Sequence, residues 1–343
     1  MSNSDHCLFI CSTAGVTLYL VVYVDDLIVT GNDIKFINQF ISKLGHRFSI
    51  KDLGSLNYFL GVKVVRTDHG LFLSQRKYIE DIVDRTLMTG AKPVPTLLTI
   101  GNSLSLNDSA LLDNPSEYRT IVGSLQYLGL TRPDIAFAVN KLAQFSATLL
   151  TVNHWAAVKR VIRYLIGAID KGLQFHRHSS LVLHAFSDSD WGCEKDDRSS
   201  TSAYVVFLGK NPISWSSKKQ RVVAKSSTEA EYRSISATAS KLCWIRNLLL
   251  ELAVPLSKPL VIYCDNLGAT YVTTKPIFHS RMKHLEIDYH FVRQLVQLGK
   301  LRVIFLVKIN WRMCLLKLFH ALTLGVFFLR LVFQINHHLE GVY

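Results

Sequence analysis

Val16-Thr17-Leu18-Tyr19-Leu20-Val21-Val22-Tyr23-Val24-Asp25-Asp26-Leu27-Ile28-Val29-Thr30-Gly31 is the stretch that sets the fold class. Residues 17–24 are apolar and rich in β-branched side chains, and they fall far short of the ~20 residues a membrane-spanning helix needs. They predict a buried strand. Asp25-Asp26 interrupt it, and residues 27–30 predict the returning strand, closed by Gly31-Asn32. Two adjacent carboxylates at the tip of an apolar hairpin are costly unless a cation neutralises them. Binding a divalent metal for phosphoryl transfer gives them a use, and an ordinary Asp-Asp β-turn is the plain alternative.

Downstream, Asp33 to Leu44 predicts a helix capped by Asp33, with Phe36, Ile37, Phe40, Ile41 and Leu44 on one face. Residues 58–65 and 71–73 predict a hairpin around Asp68-His69-Gly70, and Gln75 to Leu87 a helix. Ala91 to Pro115, with three prolines and many Ser, Thr and Asn residues, predicts a linker. Three helices are expected at 117–130, 132–148 and 153–169. Strands follow at 181–186, 203–208, 213–216, 260–264 and 301–307, with helices at 228–252 and 282–298.

The 343 residues allow two or three domains at roughly 100–200 residues each. With 49% hydrophobic and 19% charged residues, a mostly disordered chain is excluded. Lys and Arg outnumber Asp and Glu by 39 to 26, a net charge of +13, which favours a polyanionic partner, nucleic acid before a membrane surface. The six cysteines (Cys7, Cys11, Cys193, Cys243, Cys264, Cys314) show no CxxC pair and no metal-ligand spacing, which suits free thiols in a reducing compartment. The start, Ser2-Asn3-Ser4-Asp5, lacks the basic region of a secretory signal. Met313 to Phe333 is broken by Lys317, His320 and Arg330, so no membrane partner is expected, and the location expected is intracellular, cytoplasm or nucleus.

A second set of acids is dispersed. Asp188 ends one predicted strand, Asp265 ends another, and Glu231 lies in the first turn of the long helix. Carboxylates so placed can converge, as in nucleases that hold two Mg²⁺ ions about 4 Å apart; the plain alternative is that each only caps a loop. Lys218, Lys219 and Arg221 follow Trp215, and Lys159 and Arg163 share a helix with Trp155 and Tyr164; such groups neutralise phosphates, or merely form solvated faces.

These residues resemble the C-terminal part of the Pol polyprotein of copia-type LTR retrotransposons, from about Asp5 to about Phe305. The resemblance rests on Tyr23-Val24-Asp25-Asp26, Leu53-Gly54-Ser55-Leu56-Asn57-Tyr58-Phe59-Leu60-Gly61, Gln75-Arg76-Lys77-Tyr78-Ile79 and Thr131-Arg132-Pro133-Asp134-Ile135. It continues through Ser187-Asp188-Ser189-Asp190-Trp191, Ser226-Ser227-Thr228-Glu229-Ala230-Glu231-Tyr232, Tyr263-Cys264-Asp265-Asn266 and Lys283-His284-Leu285-Glu286-Ile287.

The resemblance implies an α/β (α+β) fold in two lobes: a partial reverse transcriptase palm over 1–92 with a linker and helical thumb or connection over 93–178, then an RNase H-like mixed sheet flanked by helices over 179–305. Asp25 and Asp26 match the catalytic pair of the palm turn, and Phe59-Leu60-Gly61 the hairpin that grips the primer end. Asp188, Glu231 and Asp265 match three metal-binding catalytic carboxylates of RNase H, with Asp190 and Glu229 as the competing assignments. The implied reaction is hydrolysis of the RNA strand of an RNA–DNA hybrid with Mg²⁺ or Mn²⁺. A non-catalytic nucleic-acid-binding remnant is the alternative, and association with an intact Pol protein a further expectation. The family's other palm Asp would lie upstream of Met1, so polymerase activity is expected to be lost. After Phe305 the family has a helix with a fourth catalytic Asp. Residues 306–343 offer no Asp and instead Lys308, Arg312 and Lys317, as a shifted reading frame would give, so hydrolysis is expected to be weak or absent.

Overall fold

Leu8–Thr13 (β1), Val16–Tyr23 (β2) and Asp26–Gly31 (β3) form a three-stranded antiparallel sheet in the computed structural model, which describes residues 1–99, 104–107, 109–274 and 285–306. Tyr23 pairs with Asp26, so Val24-Asp25 is a two-residue turn. Val24 sits at φ 50°, in the left-handed region that a β-branched residue enters only under strain, of order 1–3 kcal/mol. At the other end of the hairpin Asn32 donates to the Gly15 carbonyl and accepts from the Thr17 amide. This draws Gly31 so close to β2 that a Cβ there would meet the Thr17 carbonyl oxygen at 2.3 Å. Gly31→Ala must push the strands apart, and the expected loss is about 1–3 kcal/mol in thermal unfolding. An unchanged melting temperature would refute that close approach.

Asp33 caps Ile34–Arg47 (α1), accepting from the Lys35 and Phe36 amides. The predicted apolar face, Phe36 to Leu44, is only half-buried, and no residue of α1 is buried. The predicted strand 58–65 is split in two. Leu60 and Gly61, at φ 47° and 67°, turn the chain between Tyr58–Phe59 (β4) and Val62–Thr67 (β5). Gly70–Ser74 (β6) then pairs with β5 and is followed by Arg76–Arg85 (α2).

Pro115–Leu128 (α3), a 3₁₀ turn at Pro133–Ile135, Ala136–Ala143 (α4) and Val152–Ile166 (α5) pack with α2 around Tyr118, Ile121, Leu125, Leu142, Val158 and Ile162. The expected helix 132–148 is therefore much shorter than its periodicity suggested. Leu173–His176 (β7), absent from the sequence reading, pairs with β6 and completes a four-stranded sheet, β4-β5-β6-β7.

The last sheet has the order β10-β9-β8-β11-β12, built from Leu183–Asp190 (β8), Thr201–Leu208 (β9), Asn211–Lys219 (β10), Leu260–Cys264 (β11) and Leu301–Phe305 (β12). It is mixed: β8, β11 and β12 run parallel, whereas β8, β9 and β10 are antiparallel. Ser227–Glu251 (α6) covers one face, joined there by Glu286–Gln297 (α8); Leu267–Thr274 (α7), not expected from the sequence, follows β11. Along β8 the side chains of Leu183, Ala185, Ser187 and Ser189 are buried while His184, Phe186, Asp188 and Asp190 are half-buried, a period-2 alternation between the two faces. Leu8, Tyr19 and Val21 share the hydrophobic core of α6, and the Tyr19 hydroxyl donates to the Leu252 carbonyl at 3.0 Å. The first hairpin is thus seated on the C-terminal half of the long helix.

The expected start of the 282–298 helix, Lys283-His284 and the tail from residue 307, with Cys314, Lys308, Arg312, Lys317 and the 313–333 stretch, lie outside the described residues. No helix among the described residues is long and apolar enough to cross a membrane.

Candidate carboxylate centre

The face of α6 that meets β8 is built from small hydroxyl side chains. Ser234 donates to the Asp188 carbonyl at 2.9 Å, and Ser187 and Thr238 complete a buried hydroxyl chain with it. Glu231 lies three residues before Ser234 on the same face, so the close approach of helix and strand carries its carboxylate to the end of β8. There Oε1 accepts from the Ser189 amide at 3.2 Å. Gln220 fixes the corner, donating to Ser202, Ser189 and the Ala230 carbonyl.

Strands β8 and β11 are parallel neighbours with Tyr263 opposite Phe186. Two residues further on, that register brings Asp265 level with Asp188. Both line one small cavity with Phe186, Ser187, Tyr263, Cys264 and Leu306. Burial pushes the Glu231 carboxyl up to about 9, and the negative charges of Asp188 and Asp265 push in the same direction; the Ser189 amide opposes them. Among the described residues neither Glu231 nor Asp265 has a Lys or Arg partner within salt-bridge distance.

The competing acids are placed differently. Glu229 pairs with Arg233 at 3.0 Å and accepts from the Lys225 amide at 2.9 Å. Asp190 accepts from the Thr201 amide at 2.7 Å, and burial raises its pKa. Sequence spacing gave the cysteines no place among metal donors, and Cys264 departs from that. Its thiol donates to Glu231 Oε2 at 3.7 Å, and one donor atom from each of Glu231, Cys264 and Asp265 lies within 4.8 Å of the others. The cluster joins residues 33 apart on a helix and a strand, so no local spacing could announce it.

The basic residues divide. Lys218 and Arg221 are exposed. Lys219 pairs with Asp197 at 2.7 Å, which holds that carboxyl down at about 2. Lys159 is exposed beside Trp155, whereas the Arg163 guanidinium donates to the Lys92 carbonyl at 2.6 Å and ties the linker to α5. A buried Lys141–Glu194 ion pair, unread in the sequence, joins α4 to the loop after β8. In the first sheet Asp25 and Asp26 are exposed at the turn. Among the described residues no third His, Cys, Asp or Glu joins them in a donor group. Tyr127 on α3 donates to the Leu60 carbonyl, packs edge-on against Tyr78, and lies near enough to Tyr23, Tyr58 and Asp26 for their charges to raise its pKa beyond what burial does.

Residues 1–99 match the family described as reverse transcriptase (RNA-dependent DNA polymerase). The retrovirus-related Pol polyprotein from transposon RE1 of Arabidopsis thaliana is 52% identical over 303 residues, covering 88% of this chain and 21% of that polyprotein. The chain therefore spans about a fifth of the length of that relative. The putative transposon Ty5-1 protein YCL074W of Saccharomyces cerevisiae is 33% identical over 243 residues, covering 70% of this chain and 79% of the relative. Among solved structures, the foamy viral protease-reverse transcriptase dRH in complex with ds DNA aligns with 14% identity and a TM-score of 0.49, over 85% of this chain and 46% of that one. With the Ty5-1 relative covered over most of its length and half of all aligned residues shared with the RE1 polyprotein, the chain belongs to the Pol family of copia-type retrotransposons.

Proposed function

We propose that the lobe built on β8–β12 and α6 hydrolyses the RNA strand of RNA–DNA hybrids. The observation that carries this reading is the buried Glu231 carboxyl, with an Asp265 oxygen within 4.8 Å of it and Asp188 on the next strand near enough for its charge to add to the rise in pKa, so that its charge is unfavourable until a cation arrives. An oxygen-rich donor set of this kind fits a hard divalent ion, Mg²⁺ or Mn²⁺, with Asp188, Glu231 and Asp265 as its holders. Such an ion, once bound, activates water and stabilises the leaving 3′ oxygen. The chain's own part is to fix the three carboxylates: Ser189 orients Glu231, and the Ser187–Ser234–Thr238 chain locks α6 on β8. Lys218 and Arg221, exposed on the same lobe, would neutralise hybrid phosphates.

The test is cleavage of a labelled hybrid by the full chain. Mg²⁺-dependent cleavage is expected to fall at least about a hundredfold in Asp188→Asn, because a metal holder is lost. Hybrid binding in chelator should persist in that variant and weaken steeply with salt. Binding without any cleavage by the wild-type chain would replace this reading with that of a non-catalytic hybrid binder. Equal cleavage by wild type and variant would overturn the site assignment.

A further inference from the structure

We propose that Glu231, Cys264 and Asp265 form a thiol-containing site for a borderline or soft divalent cation, Zn²⁺ or Cd²⁺. Cys264 is the last residue of β11 and is buried, with its side chain on the α6 side of the sheet, while Asp265 follows at once and lines the cavity beside Asp188. In a tetrahedral Zn²⁺ site with a metal–sulfur bond of about 2.3 Å and a metal–oxygen bond of about 2.1 Å, the sulfur and oxygen stand about 3.6 Å apart. The Cys264 Sγ to Glu231 Oε2 distance is 3.7 Å, so one edge of that tetrahedron is already built. The Asp265 carboxylate lies within 4.8 Å of both, a distance that a side-chain rotation closes.

The surroundings suit a bound sulfur. The Asn266 amide donates to Sγ at 3.4 Å, the kind of outer contact that holds a ligating side chain in place. Three protein donors leave a fourth position open toward the cavity that Asp188 lines, which water or that carboxylate would occupy. Chemistry separates this ion from the one proposed for hydrolysis. Mg²⁺ takes oxygen donors and gains nothing from sulfur, whereas thiolate strongly favours Zn²⁺. On binding, the thiol proton and the proton held on the Glu231 carboxyl both leave to solvent, and the cation is held by thiolate and carboxylate. The binding stands on this geometry alone. Its consequence, that Zn²⁺ competes with Mg²⁺ for Glu231 and Asp265 and blocks cleavage, rests on the reading proposed above.

The experiment titrates the full wild-type chain with Cd²⁺ and follows the ultraviolet thiolate-to-cadmium charge-transfer band, with Zn²⁺ affinity measured by equilibrium dialysis. One equivalent of band is expected from this site. Cys264→Ser should abolish it and weaken Zn²⁺ at least about tenfold. Cys193→Ser, which removes an exposed thiol elsewhere, should leave both unchanged. Glu231→Gln keeps the thiol and should also weaken Zn²⁺, which guards against a Cys264 variant that fails to fold. A band that survives in Cys264→Ser, or Zn²⁺ binding indifferent to both substitutions, overturns the proposal. Hybrid cleavage by the wild-type chain in Mg²⁺ alone reports on the hydrolysis reading separately: absent cleavage with a Cys264-dependent band removes that reading and leaves the metal site standing.

Discussion

Replacing Arg132 with Ala is expected to destabilise the chain by about 3–5 kcal/mol, because it strands a buried carboxylate. Arg132 is 1% exposed and Asp134 3%. The guanidinium grips Asp134 through Nε at 2.9 Å and Nη2 at 2.6 Å, and its Nη1 donates to the Ala168 carbonyl at 3.0 Å. The Tyr164 hydroxyl donates to the same carboxylate at 3.0 Å. One side chain thus ties the 3₁₀ turn to the end of α5. Removal of the cation leaves Asp134 charged in a site with little water, with the tyrosine as its remaining side-chain donor among the contacts above. Arg132→Lys keeps the charge but loses the two-pronged geometry, so an intermediate loss is expected. The exposed Arg76, paired with Glu80 and Asp170, supplies the contrast: solvent screens it, and Arg76→Ala should be far milder. Urea denaturation of the three variants measures these differences. A loss below about 1 kcal/mol in Arg132→Ala would mean that the buried pair holds nothing together.

The first hairpin was legible because two independent signals coincide, a β-branched apolar run and a charged tip. The strands of the last sheet were legible as short apolar runs between turn residues, whereas its mixed arrangement was an implication of the family resemblance and not of the local pattern. Failures occurred where tertiary contacts overrule local pattern. The break at Leu60-Gly61 needs a left-handed Leu60, stabilised by the Tyr127 hydroxyl reaching across 67 residues. β7 is four residues long and exists because it pairs with β6, with Gly70 opposite His176. α7 reads Leu-Gly-Ala-Thr-Tyr-Val-Thr-Thr, a poor helix former held by its neighbours β11, β12, α6 and α8. At the centre, Asp188, Glu231 and Asp265 were named from their places at strand ends and helix start and from the family motifs, and the sequence could not show that Glu229 pairs with Arg233 while Glu231 lies beside Cys264. Cys264 stayed hidden because burial alone makes an apolar reading of a strand cysteine sufficient. Arg163 shows a role that its sequence setting did not announce: its Nε donates to a linker carbonyl and ties the linker to α5.

In chelator, Glu231→Gln is expected to make the chain more stable than wild type at about pH 8, and the advantage should vanish near about pH 5. The sign follows from where the proton resides. Folding raises the Glu231 carboxyl from 4.5 to about 9, so between these values the folded chain keeps a proton that the unfolded chain has released. Rising pH therefore favours unfolding across that window, by up to about 1.4 kcal/mol per pH unit for this one group. Gln keeps the shape and the acceptor for the Ser189 amide but never acquires the charge, so its curve should be flatter. Asp190, also raised by burial, adds a slope of the same sign to both proteins and cancels in their difference. Divalent cation supplies the second half of the test. It should restore wild-type stability at about pH 8 by compensating the buried charge, and it should do much less for the Gln variant. Melting temperatures of the two proteins that fall in parallel from about pH 5 to about pH 8 in chelator would show that Glu231 carries no buried proton, and the centre would lose its demand for a cation.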